Sequence, residues 1–183
     1  MTALRRYLLL PIKRGAPLRP VRLGGYTAEI ELAEGEADYV AFAEIDGLRG
    51  REILLDGAGV AQADALPFEP YGEALRPQIH FSSMRGWNND PNGLLWHEGE
   101  WHLFYQHNPF GTAWGNMHWG HAVSGDLVHW RELGEALAPD EHGSMFSGSG
   151  VVDAGNSSGL GEGGRGPLVL LYTAAGGRSP DSR

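Results

Sequence analysis

The apolar residues of this chain come in short runs cut by turn-forming pairs, with no sustained helical spacing. Runs at 26–32, 39–45 and 52–55 are separated by Glu34-Gly35, Asp46-Gly47 and Asp56-Gly57. Short strands joined by Asp-Gly turns predict a small β-sandwich-like module. One short helix is predicted over 61–66. Further along, 93–97 and 100–106 flank Glu98-Gly99, and 117–123 and 127–133 flank Ser124-Gly125-Asp126. Each reads as a β-hairpin, and two hairpins in succession make roughly one four-stranded blade. Strands at 147–152 and 168–173 follow, and a polar stretch, 176–183, closes the chain. The pattern predicts an all-β chain with a boundary near Pro67 to Pro77, dividing residues 1–75 from 76–183.

Composition sharpens that boundary. Residues 1–75 hold no Trp and no His, whereas all eight His lie between His80 and His142 and all six Trp between Trp87 and Trp130. Amphipathic rings crowded in this way suggest a surface built to hold something. The net charge of −9 makes nucleic acid a poor partner and leaves neutral ligands such as sugars open. Without cysteine there is no disulfide, thiolate metal site or cysteine nucleophile. No apolar run is long enough to span a membrane. The run after Arg5-Arg6 is cut by Pro11 and Lys13, so no export signal is visible.

The stretch Trp87-Asn88-Asn89-Asp90-Pro91-Asn92-Gly93 carries the chemistry. Asp, Pro, Asn and Gly in succession suit a β-turn with no catalytic demand. The functional alternative is that an ionised Asp90 on a rigid bend beside the Asn89 amide is placed to attack an electrophilic carbon. That role demands a second carboxyl group roughly 5–5.5 Å away, the geometry of retaining glycosidases. Taken alone, the stretch favours the structural turn over a catalytic carboxylate.

The heptapeptide closely resembles the nucleophile motif of the invertase, levanase and inulinase family, glycoside hydrolase family 32, with Asn88 where Met is common. The similarity continues through Phe104-Tyr105-Gln106-His107-Asn108-Pro109, Trp114-Gly115-Asn116-Met117-His118-Trp119-Gly120-His121-Ala122-Val123-Ser124, Asp126-Leu127-Val128-His129-Trp130 and Phe146-Ser147-Gly148-Ser149. The resemblance implies a small levanase-type N-terminal β module, then the first blade and part of the second blade of a five-bladed β-propeller. It implies that Asp90 is the nucleophile, with Asn89, Gln106, Trp114, Phe146 and Ser147 as substrate contacts. Amides and hydroxyls can read sugar hydroxyls, and aromatic rings can cover C–H faces. The implied reaction is cleavage of β-fructosidic bonds in sucrose, levan or inulin with retention, without a cofactor.

Other features carry less. Trp96, Trp101, Trp119 and Trp130 read as packing, and His118 with His121 as an improbable zinc pair, because residues three apart on a strand face opposite sides. The glycines at 159, 161 and 164 match a dinucleotide fingerprint but open no helix. Asn156-Ser157-Ser158 is a formal glycosylation triplet. No Arg-Asp-Pro, the family's transition-state motif, occurs in the chain, nor is its downstream acid/base glutamate identified. The chain is therefore expected to be a truncated, inactive piece of a longer protein. Relatives with such a module are often exported, and the chain's own location is open. A fructosyltransferase using the same covalent intermediate, or a non-catalytic carbohydrate-binding protein, fits these motifs too.

Overall fold

The computed structural model describes residues 1–57, 59–163 and 166–176. Residues 177–183 of the closing polar stretch, and Gly164 of the glycine motif, lie outside them. Among the described residues the chain is all-β, with a single short 3₁₀ turn at Asp46–Leu48.

Two three-stranded sheets come first. One has the order β4 (Tyr39–Glu44), β1 (Tyr7–Ile12), β6 (Ala61–Ala63), and the other β3 (Tyr26–Ile30), β2 (Arg19–Leu23), β5 (Leu54–Leu55). Along β1, Leu8, Leu10 and Ile12 point inward and are fully buried while their neighbours are not, the period of two that a half-buried strand requires. Val21, Leu23, Ala28 and Ile30 of the second sheet join them in one core, giving the sandwich-like module its hydrophobic layer. Each buried Leu or Ile contributes roughly 1.5–3 kcal/mol.

The structure corrects the helix expected over 61–66: residues Ala61–Ala63 form β6, which pairs antiparallel with Tyr7, Leu8 and Leu9. Edge pairing with β1 outweighs the weak local helical tendency. Strands β1 and β2 were not foreseen, since both contain proline. Pro11 is accommodated past the end of β6, where β1 keeps only an isolated bridge from Ile12 to Leu32 and Pro11 takes part through its carbonyl, which accepts from the Ala33 N–H at 2.9 Å.

The second region forms a four-stranded antiparallel meander in the order β10 (Arg131–Leu137), β9 (His118–Ser124), β8 (Glu100–Asn108), β7 (Trp87–His97). Strand β7 starts six residues before the predicted Gly93, so the heptapeptide is extended strand and not a simple turn. A two-stranded sheet, β11 (Ser144–Val152) with β12 (Leu168–Ala175), packs against β7. Phe104, Trp119 and Met145 form the core between the two sheets.

The approach of β7 to β11 is set by Gly93. Its φ is +54°, and a Cβ there would lie 2.9 Å from the Gly150 nitrogen. Only glycine meets both conditions without strain.

The two regions also touch. Phe110 of the second joins the core of the first. The Arg85 guanidinium lies 3.9 Å over the Phe42 ring and pairs with Glu135 at 2.9 Å. Burial pushes the Glu135 carboxyl up, but Arg85 and the His107 ring outweigh it and hold it down to about 2.

Candidate active site

The site begins with an irregularity in β7. Asn89 pairs with Gln106 and Pro91 pairs with the next residue back, Tyr105, so Asp90 is an extra residue without a partner on β8. Such a bulge bends the strand and re-aims the side chain it carries. Pro91, which has no N–H for a ladder, is tolerated because β7 lies at the edge of its sheet.

The Asp90 carboxylate is exposed, and its Oδ2 accepts a 2.9 Å hydrogen bond from the Ser147 hydroxyl on β11. Asn89 is turned by its neighbour: the Trp87 indole N–H donates to its Oδ1 at 2.9 Å, leaving the amide N–H groups for Asp90. The Ser147 hydroxyl first, and the Asn89 amide second, hold the Asp90 carboxyl below the usual carboxylate range. Donors aimed at the charged form favour it, so Asp90 is an anion at neutral pH.

Gln106 is buried on β8 and donates from Nε2 to the Met145 carbonyl at 2.8 Å. This bond fixes the amide between the two sheets and leaves Oε1 as a directional acceptor. Trp114 comes from the loop between β8 and β9 and meets Phe146 edge to face, with centroids 5.9 Å apart. The fully buried Trp119 donates to the Phe146 carbonyl at 3.1 Å, anchoring β11 from beneath.

These side chains enclose one cavity of about 350 Å³, lined by Asn89, Asp90, Gln106, Trp114, Phe146, Ser147 and Thr173. All six residues singled out in the sequence thus border the same space. Thr173, which pairs with Phe146 across β11 and β12, was missed. So was Trp87, which orients Asn89. Thr173 has no local sequence signal, because a strand threonine is ordinary. Trp87 was visible as the first residue of the heptapeptide, but its contact depends on the bulge.

Chemically, the arrangement joins an oriented anion, amide and hydroxyl groups, and two aromatic faces. This combination suits a neutral polyhydroxylated ligand with an electrophilic carbon. Asp90 is the one carboxylate among the described lining residues.

The remaining rings divide as follows. Trp96 packs edge on against Trp101, and Trp130 against Phe81. His118 is buried, with its Nδ1 on the Asn116 carbonyl, whereas His121 faces His102, their nitrogens 3.0 Å apart. Among the described residues no three His, Cys, Asp or Glu side chains are grouped to hold a metal ion, and no helix is long and apolar enough to cross a membrane.

Comparison with known proteins adds an independent line. Residues 80–181, more than half of the chain, match the model of the glycosyl hydrolases family 32 N-terminal domain. The chain is 56% identical over 111 residues to a levanase of Bacillus subtilis (strain 168), covering 61% of this chain and 16% of that protein. It is 51% identical over 109 residues to an extracellular exo-inulinase of Aspergillus niger, covering 57% and 20%. Among solved structures, the exo-inulinase of Aspergillus awamori superposes with a TM-score of 0.51 at 51% identity, over 55% of this chain and 20% of that one. The chain therefore spans a fifth or less of the length of these relatives. The solved relatives are five-bladed β-propeller enzymes, and in that frame the β7 to β10 meander is one blade and the β11 and β12 pair the start of the next.

Proposed function

Because this chain belongs to glycosyl hydrolases family 32, we propose that the Asp90 cavity receives the terminal fructosyl unit of a β-fructoside and that Asp90 is the nucleophile that cleaves it. A carboxylate oxygen of Asp90 forms a bond to the anomeric carbon as the bond from that carbon to the leaving oxygen breaks. The leaving oxygen takes a proton from a carboxylic acid supplied elsewhere in the complete polypeptide. Water, giving a proton back to that same carboxylate, then attacks the anomeric carbon on the face vacated by the leaving group; the bond from this carbon to Asp90 breaks, and the sugar leaves with its original configuration.

Asn89, Gln106 and Ser147 fix the hydroxyls of the bound unit, and Trp114 with Phe146 covers its apolar edges. Residues 1–75 act as an accessory module, and residues 76–183 begin the catalytic propeller. Sucrose, levan and inulin are the candidate substrates, following the levanase, exo-inulinase and invertase names of relatives. The 183-residue chain by itself does not turn over, since Asp90 has no partner acid among the described lining residues and general acid catalysis typically supplies about 10²–10⁴-fold.

The observation that carries this reading is the ionised Asp90 carboxylate, held on a strand bulge by Ser147 and Asn89 at the mouth of a cavity suited to one sugar unit. Its test is Asp90→Asn in the complete enzyme. Turnover of sucrose and fructan falls by a factor on the order of 10⁴ or more while the melting temperature stays put. An active Asp90→Asn enzyme removes Asp90 from the role.

A further inference from the structure

A second concavity, of about 550 Å³, lies between β3 of the N-terminal module and the loop that carries Trp114, with Leu18, Thr27, Glu29, Trp114, Asn116 and Ser144 among its lining residues. We propose that this groove is a second carbohydrate site, which holds the third and later sugar units of a fructan chain whose first unit lies in the Asp90 cavity and whose second lies against Trp114. The proposal rests on reading that cavity as a fructosyl site.

Four observations support it. First, the two spaces are neighbours, because Trp114 borders both. Its ring is 61% exposed, which suits an aromatic platform and not a packing residue. A chain leaving the Asp90 cavity past Trp114 enters the groove directly.

Second, the N-terminal module presents its polar groups in register. Strand β3 is the edge strand of its sheet, and its burial alternates so that Thr27 and Glu29 point to the same outer side while Ala28 and Ile30 enter the core. Side chains two apart on a strand form a short polar row.

Third, the groove has a fixed width. The Glu29 backbone N–H donates to Asn116 Oδ1 at 2.9 Å, and Asn116 Nδ2 donates back to the Glu29 carbonyl at 2.9 Å. Asn116 reaches this position with φ of 43°, a conformation that Asn tolerates better than most residues. The clamp uses only the backbone of Glu29, and its carboxylate takes no part.

Fourth, the charge selects the ligand. The described lining includes Glu29 and Glu31 and no basic side chain, so anionic ligands are repelled and neutral hydroxyl donors accepted. Glu31 also accepts a bond from the Gly15 N–H.

The consequence is specificity: the groove contributes to binding of long fructans and not of sucrose, which is too short to reach it. The test uses Thr27→Trp, which fills the groove, and Glu29→Ala, which removes a carboxylate but not the clamp, both in the complete enzyme. Steady-state kinetics are measured on sucrose and on levan and inulin oligosaccharides. Each variant raises KM for the long oligosaccharides by about three- to tenfold, the loss of one or two hydrogen bonds, and leaves kcat/KM for sucrose within about twofold. Equal losses on sucrose and long fructans, or no loss on either, overturn the groove. A parent enzyme inactive on every fructoside instead overturns the reading of the Asp90 cavity.

Discussion

The Ser147 hydroxyl on β11 donates to the Asp90 carboxylate on β7 at 2.9 Å, joining two sheets across 57 residues of sequence. The bond ties the ionisation of Asp90 to the seating of one sheet against the next. Replacing Ser147 with Ala removes the first cause of the lowered Asp90 pKa and leaves the Asn89 amide. The pKa then moves upward toward its ordinary value. In the complete enzyme the acid limb of the kcat/KM profile for sucrose moves to higher pH, and the rate at the optimum drops about tenfold with the lost donor. The pH-rate profile checks both, and an unmoved acid limb contradicts the link.

Acid sensitivity of the fold has a separate origin. Burial, reinforced for His121 by His102, lowers both His118 and His121 from 6.5 to about 4. Between these values the unfolded chain binds protons that the folded one refuses, so stability falls as pH drops from 6.5 toward 4. The Glu135 carboxyl, held down to about 2, adds a second window, in which stability is lost as pH falls from its ordinary value of 4.5 toward 2. Melting temperatures measured across this range decline in both windows. Glu135→Gln, which leaves the Arg85 charge mostly buried and unpaired, costs about 3 kcal/mol at neutral pH and flattens the lower window.

Much of the fold was legible because hairpins announce themselves: Glu98-Gly99 and Ser124-Gly125-Asp126 each sit between runs that do pair, although β10 starts at Arg131, four residues later than expected. The heptapeptide shows where local reading stops. Asp, Pro, Asn and Gly serve a β-turn and an edge-strand bulge equally well, and only the pairing of Asn89 with Gln106 and Pro91 with Tyr105 separates the two. Strands β1 and β2 were hidden by Pro11 and Pro20, whose tolerance depends on which backbone N–H groups a strand has to supply. Likewise Trp87, Thr173 and the Glu29 to Asn116 clamp depend on contacts that no local pattern encodes, the clamp linking positions 87 apart.

Gly93 tests the packing of the two sheets. Gly93→Ala places a methyl group 2.9 Å from the Gly150 nitrogen at a φ of +54°. The strained backbone and the clash together cost about 2–4 kcal/mol, and the separated strands pull Ser147 away from Asp90. Chemical denaturation reads the first effect and an upward shift of the Asp90 acid limb the second. A variant of unchanged stability contradicts the close approach.

The proposed reaction turns on covalent fructosylation of Asp90. Rapid acid quenching of the complete enzyme during sucrose turnover, followed by mass analysis of its peptides, measures this directly. The expected result is a hexosyl mass on the peptide containing Asp90, absent from the Asp90→Asn enzyme. A hexosyl mass on a different residue, or continued turnover with Asp90 never modified, contradicts it.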